Sequence, residues 1–279
     1  MIKSLLVAST QPLSSNQSSY LYSMAQSMGD CELQLYRFEV PEDYEFLPDI
    51  QESEEGFGVR VPDLAPGASS ISKGRIEKER QEFESGLSDT GLTGSYHFTK
   101  SNPEYYLRKE IHAHDLLVVF KNQNFFQVKV GFYKTRLMHI VTQLSQPTLV
   151  LSEELTEFEW GKILLAYDGE EASARALDYL VHLKTSYNSD LHLAFLHEDR
   201  PLDQLQEEVR NFCSHHEIDY TESLVEKEEA KSLLETAEEA ACDWICLGTL
   251  KQGFFRELFF KGLDDELLQK SKLPLLLCH

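Results

Sequence analysis

Basic residues are scarce in this sequence: 26 lysines and arginines stand against 47 aspartates and glutamates, for a formal charge of −21. DNA and RNA are polyanions held by basic surfaces, so this shortage argues against nucleic acid as a partner. Anionic membrane surfaces are disfavoured on the same ground. A small anion such as ATP is not, because local backbone geometry can outweigh net charge. The plainest role of the acidic excess is solubility.

Long apolar runs are also missing. The opening MIKSLLVAST holds one lysine and an apolar run only from Leu5 to Ala8. That is short of a secretory core, and no stretch approaches the length of a membrane span. The expectation is a cytoplasmic protein. Cysteine is sparse: Cys31, Cys213, Cys242, Cys246 and Cys278 are odd in number and scattered. Cys242 and Cys246 have no second pair at zinc-ligand spacing, so all five are expected to be reduced, mostly packing thiols. There is no Gly-x-Ser-x-Gly elbow, no Walker A loop and no Gly-x-Gly-x-x-Gly after the first strand, and no Ser–His–Asp set stands out. What remains, 42% hydrophobic and 26% charged over 279 residues, is ordinary globular material for one large or two modest cores.

That material repeats. KSLLVAS at 3–9 resembles KILLAYD at 162–168, and CELQLYRF at 31–38 resembles DLHLAFLH at 190–197. HAHDLLVVF at 112–120 resembles AACDWICLG at 240–248, and QPTLVLS at 146–152 resembles LPLLLCH at 273–279. Short apolar runs of this kind are strands buried on both faces of a parallel sheet. Between the first two strands of the second half, EEASARALDYLVHLKTS offers Ala172, Leu177, Leu180, Val181 and Leu183 as one helical face. Matching Leu5 to Leu164 gives an offset of 159, and Leu33 to Leu191 gives 158; Asp115 to Asp243 gives 128, and Pro147 to Pro274 gives 127. The first half should therefore carry about 31 extra residues, placed in an excursion near 46–94. Its Gly-, Pro- and Ser-rich part, 46–74, reads as a loop, followed by the charged helical stretch KGRIEKERQEFESGL. Alternating strands and helices at this spacing predict βαβ units and a parallel sheet in each of two α/β domains, 1–152 and 161–279, with about five strands and four helices apiece. EELTEFEW at 153–160 is the linker.

Ten histidines raise the question of a metal. His192 and His197 flank a strand at odd spacing and point to opposite faces. His215 and His216 are adjacent, and His112 and His114 have only Asp115 beside them. No ligand set converges, so surface or capping histidines are expected and no metal. The aromatic run FFRELFF at 254–260 fits a buried helix or loop face better than a partner-binding surface.

The second half, with YDG (Tyr167, Asp168, Gly169) ending its first strand, the later DWICLGTL and the closing LPLLLCH, resembles the universal stress protein family over about 118 residues. The first half resembles it only through the repeat. The resemblance implies an adenine nucleotide alpha hydrolase-like fold, with a doubly wound sheet of five parallel strands flanked by helices in each half. In the family's ATP-binding branch an aspartate after strand one contacts adenosine. A Gly-x-x-Gly-(nine residues)-Gly-Ser/Thr loop after strand four cradles ribose and phosphates, since glycines let backbone N–H groups approach phosphate oxygens. Carried over, Asp168 with Gly169 takes the adenosine position, and Gly248 with Thr249 opens the loop. Lys251 and Lys261 stand where the second and third glycines would be, and Gly262 where the hydroxyl residue would be. The loop is degenerate. Asp264, Asp265 and Glu266 follow it, and the two lysines either offset those acids or hold phosphate as point charges. In the first half Ser9 takes the aspartate's place and Phe120 the first glycine's, which blocks a nucleotide there.

The resemblance also implies that the apolar edges 147–152 and 274–279 pair within one chain as a pseudo-dimer, which removes an aggregation hazard; a further homodimer is open. The function expected is that of a stress-response or regulatory tandem, non-enzymatic, with no more than one weak adenine-nucleotide site in the second domain. ATP or AMP is the only cofactor implied. The alternatives are an ATP-hydrolysing or nucleotide-transferring enzyme on the same fold, and a pure protein-interaction scaffold.

Overall fold

The structure is a computed structural model that describes residues 1–40, 71–100, 103–121, 123, 136–141, 143–155, 157–196, 200–225, 229–248 and 263–278. The first half comprises β1 (Ser4–Ser9), α1 (Ser15–Ser27), β2 (Glu32–Phe38), α2 (Lys73–Thr90), β3 (Thr93–Thr99), α3 (Pro103–Glu110), β4 (Leu116–Phe120), α4 (Arg136–Val141) and β5 (Thr148–Leu151). The second comprises β6 (Lys162–Tyr167), α5 (Glu171–Tyr187), β7 (Asp190–Leu196), α6 (Leu202–His215), β8 (Thr221–Val225), α7 (Ala230–Glu239), β9 (Trp244–Gly248), α8 (Leu263–Lys270) and β10 (Leu275–Cys278).

Local chemistry sets these boundaries. Ser14 begins α1 with a reciprocal capping box: its hydroxyl accepts from the Gln17 N–H while the Gln17 side chain accepts from the Ser14 N–H. Gly91 closes α2 in the left-handed region at φ 70°, and Asn188 does the same for α5 at φ 53°.

All ten strands form one sheet in the order β3-β2-β1-β4-β5-β10-β9-β6-β7-β8. Each half thus has the doubly wound order 3-2-1-4-5, and the halves meet at their fifth strands. That junction is antiparallel, with Leu275 opposite Val150, Leu276 opposite Leu149 and Leu277 opposite Thr148. Every other pairing is parallel. Residues 148–150 and 275–277 therefore share backbone hydrogen bonds, and their apolar side chains are buried rather than left on an edge.

Side chains alternate across the sheet, so each strand feeds two cores. Leu5 and Val7 face one side with α1, α2, α5 and α6; Leu6 and Ala8 face the other with α3, α4, α7 and α8. Both cores run through both halves. The predicted apolar face of α5 is buried at Ala172, Leu177, Leu180, Val181 and Leu183. The linker stretch is pinned by aromatic contacts rather than extended into solvent. Phe158 meets Tyr20 of α1 edge-on at 5.6 Å, and Trp160 stacks on Tyr187 at 4.3 Å.

Three expectations need correction. The first concerns register. Leu5 lies opposite Leu116 and Ile163 opposite Trp244, and 116 corresponds to 244 at the offset of 128 that the fourth strands share. Leu5 therefore corresponds to Ile163, an offset of 158 rather than 159. A slip of one residue exchanges the faces of a strand, and here it moves the counterpart of Asp168 from Ser9 to Thr10. The second concerns the excursion. Residues 73–99 form α2 and β3, the counterparts of α6 and β8, so the extra residues precede Lys73. The third concerns His192, which is 4% exposed and held between the Thr221 and Ser223 hydroxyls at 2.7 and 3.0 Å, neither a surface nor a capping residue. All five cysteines are free and buried. Among the described residues no helix is long and apolar enough to cross a membrane. The run 254–260 lies outside the described residues.

Candidate functional site

In open α/β sheets a ligand sits beyond the carboxyl ends of the strands where the strand order reverses. This sheet has two such places, between β1 and β4 and between β6 and β9.

The first is closed. Gln123, just past β4 and 2% exposed, lies across the gap. Its Oε1 accepts from the Thr10 N–H at 2.6 Å and from the Thr10 hydroxyl at 3.0 Å, and its Nε2 donates to the Ser9 hydroxyl at 2.8 Å. Phe120, at the end of β4, is 1% exposed. The amide side chain occupies the space and the backbone donor that a ligand would need. At the offset of 128, Gln123 corresponds to Lys251, so the sequence held this signal, but the slipped register hid Thr10 as its partner.

The second is built differently. Asp168 follows β6 and is half-buried. Its Oδ1 accepts from the Glu170 N–H at 2.9 Å and from the Ser173 hydroxyl at 2.6 Å, which fixes the start of α5. Its Oδ2 takes no hydrogen bond from the described residues. Gly169 has φ 77°, a conformation that favours glycine, and a Cβ there would lie 2.2 Å from Arg200 Nη1. That nitrogen donates to the Gly169 carbonyl at 2.8 Å and is paired with Glu208. Arg200 was not foreseen from sequence; its position six residues before Gln206 carries no pattern that points back to Gly169.

Gly248 ends β9 directly beneath α5. A Cβ there would fall 2.3 Å from the Ala172 carbonyl carbon and 2.4 Å from the Ser173 nitrogen. The glycine thus lets the helix N-terminus settle on the strand end, a packing need separate from any ligand. Asp168 and Gly248 are brought to the same helix turn: one bonds Ser173 and the other abuts it. Thr249, Lys251, Lys261 and Gly262 lie outside the described residues. Beyond them, Glu266 pairs with Lys270 within α8.

The charge around this turn is acidic. Glu170 is the cap residue of α5 and Glu171 lies in its first turn, where carboxylates complement the helix dipole and oppose an added anion. The nearby cation, Arg200, has its charge shared with Glu208, and that hydrogen bond raises its pKa further. Burial pushes the Tyr167 hydroxyl up to about 12, so it stays protonated beside Asp168. Among the described residues no group of three His, Cys, Asp or Glu side chains is placed to hold a metal ion.

Comparison with known proteins bears on the family resemblance and the fold. Residues 198–279 match the model of the universal stress protein family, a stretch that includes Gly248 and begins after Asp168. A crystal structure of a universal stress protein from Archaeoglobus fulgidus DSM 4304 is similar with a TM-score of 0.67 at 14% identity, over 99% of this chain and 95% of that one. A functionally unknown protein from Pseudomonas aeruginosa PAO1 is similar with a TM-score of 0.60 at 12% identity, over 99% and 92%. Likeness at these identities establishes the fold: an α/β architecture with a large, mostly parallel sheet flanked by helices. No curated protein matches the sequence.

Proposed function

We propose that this chain is a regulatory, non-enzymatic member of the universal stress protein family, built as a tandem of 1–152 and 161–279 in which only the second unit takes an adenine nucleotide. The observation that carries this reading is the contrast between the two strand-order reversals. Gln123 closes the first, while at the second Asp168 keeps one carboxylate oxygen free of the described donors and Gly248 leaves the strand end without a side chain. In this reading Asp168 Oδ2 receives a ribose hydroxyl. Thr249, Lys251, Lys261 and Gly262 complete the phosphate side, with the lysines standing in for backbone N–H groups that two missing glycines would have offered. The acidic turn at Glu170 and Glu171 opposes phosphate, so affinity is low. The first unit serves to cover the edge of β10.

Isothermal titration with ATP and Mg²⁺ tests this. The expected result is weak binding at one site per chain, lost in Asp168→Ala and retained in Thr10→Ala. No heat at millimolar nucleotide, or two sites per chain, would refute it. A scaffold without ligand is the rival reading. It is favoured by the structural duties that Asp168 and Gly248 already perform at the start of α5, and it predicts that silence.

A further inference from the structure

The cleft that stands out among the described residues is not at Asp168. It lies in the first half, between α1 and α2 over the carboxyl halves of β2 and β3, with a volume of about 470 Å³. That falls within the range of roughly 300–1,000 Å³ usual for small-molecule sites. Its walls are aromatic and apolar at Tyr22, Phe83, Tyr96 and Leu35, and its rim carries hydroxyls from Ser15 and Ser19.

Arg37 lines this cleft although it is 4% exposed. A guanidinium buried in a sheet core is costly unless its donors are met, and these are met poorly. Nη1 donates to the Phe38 carbonyl, its immediate neighbour. Nε stands 3.5 Å from Glu79 Oε2 without forming a hydrogen bond; that oxygen accepts from the Tyr96 hydroxyl at 3.0 Å, and Glu79 Oε1 lies 3.3 Å from Arg75 Nε, again without a hydrogen bond. Buried polar atoms left open in this way call for a partner.

The fold itself does not require the cation. Arg37 is the last residue of β2 paired with β1, opposite Ser9; the corresponding last pair of β6 and β7 in the second half is Tyr167 and Phe195. Phe195 is 1% exposed and belongs to the same core face. Where one half fills this position with a phenyl ring, the other has placed a positive charge and opened a cleft above it. The opposite wall carries the carboxylates of Glu79 and Glu82 on α2, which are paired along that helix with Arg75 and Lys78 at 3.3 and 3.5 Å. A bare anion would meet those carboxylates and a bare cation would meet Arg37; a molecule carrying both charges meets neither unfavourably.

We propose that this cleft binds a small zwitterion of the aromatic α-amino-acid class, its carboxylate on Arg37, its ammonium toward Glu79 and Glu82, and its ring against Phe83 and Tyr96. The site is separate from the second-half crevice and does not depend on nucleotide binding there.

The test titrates the full chain, by calorimetry and saturation-transfer NMR, with three probes: L-phenylalanine, 3-phenylpropionate, which lacks the ammonium, and 2-phenylethylamine, which lacks the carboxylate. L-Phenylalanine should bind saturably, and each truncated probe should bind about tenfold or more weakly, since each loses a charged hydrogen bond. Arg37→Phe, which installs the residue of the other half, should keep the folded circular dichroism spectrum and lose L-phenylalanine binding by a similar factor. Should that variant fail to fold, Ser19→Trp decides: the position is exposed on α1, and the indole fills the cleft from its rim and should abolish binding at unchanged Tm. Absence of L-phenylalanine binding to the parent chain would overturn the proposal. So would equal affinity for all three probes, or binding that survives Arg37→Phe or Ser19→Trp.

Discussion

Gln123→Ala removes the side chain that closes the first reversal point, and its cost can be worked from the bonds it makes. Three hydrogen bonds are lost: two accepted from Thr10 and one donated to Ser9. They are not equivalent. The Ser9 hydroxyl keeps its local bonds, donating to the Gln11 carbonyl and accepting from the Gln11 N–H at 3.2 Å, so it suffers little. The Thr10 hydroxyl is only half-buried and can turn to water. The Thr10 N–H, at 2.6 Å from Gln123 Oε1, has no other acceptor among the described residues, and an orphaned donor costs roughly 1–3 kcal/mol. Loss of the buried side-chain carbons adds about 1 kcal/mol. The expected destabilisation is therefore about 2–4 kcal/mol, read as a fall in the urea midpoint at constant m-value. Ser9→Ala keeps the Gln123–Thr10 bonds but orphans the buried Gln123 Nε2, so it should cost roughly 1–3 kcal/mol. A loss under about 0.5 kcal/mol for Gln123→Ala, the range of ordinary surface changes, would show that the plug is not structural and would undercut the closed-crevice argument.

Gly248→Ala forces a methyl carbon against the backbone of Ala172 and Ser173, which cannot rotate away; overpacking of this kind costs about 1–3 kcal/mol or more, and a Tm unchanged from the parent would refute the packing role. Burial, the largest cause, lowers the imidazoles of His192 and His114 below their ordinary 6.5. The unfolded chain therefore takes up protons first on acidification, so stability present above pH 6.5 should be lost as pH falls from there toward the folded values. Urea midpoints at pH 7.5 and 5.5 should show that decline, and His192→Gln, which can still bond Thr221 and Ser223, should flatten part of it. Residues 157–279 expressed alone would bare the Leu275–Leu277 edge that β5 covers, so they should dimerise or aggregate on gel filtration; a stable monomer would count against the shared-sheet account.

Much of the fold was legible because both faces of the sheet are buried. Runs such as LLVVF and LPLLLC have little other use in a chain of high charge, and their alternation with helical stretches marks a parallel sheet. What was not legible is instructive. In KSLLVAS and KILLAYD, consecutive apolar residues carry no alternation, so similarity alone could not tell an offset of 158 from 159; only the pairing of Leu5 with Leu116 and Ile163 with Trp244 decides it. The Gly-rich excursion was overdrawn for a related reason: the charged helix α2 buries only Phe83 and Leu87 of its 18 residues, so little in its sequence marks it as part of the layered structure. His192 was misread because its burial depends on hydroxyls from β8, a strand whose TESLV is too polar to signal a core neighbour.

The candidate site was half legible, and the half that was missed changes its meaning. Glycine after a fourth strand suggests phosphate; the structure adds that Gly248 is also obligatory for seating α5. Aspartate after a first strand suggests an adenosine contact; the structure adds that Asp168 fixes the same helix through Glu170 and Ser173. The two residues therefore have a structural reason to stay together even where no ligand binds, and their presence alone is weak support for nucleotide. The discriminating feature is the third position, Gln123 in one half and Lys251 in the other. A neutral amide that can both donate and accept closes the first gap by bonding Thr10 and Ser9. A lysine at the corresponding place can only donate, so it cannot satisfy a backbone N–H, and its charge asks for an anion. On the proposed reading, the difference between the two crevices thus rests on one side chain's ability to accept a hydrogen bond.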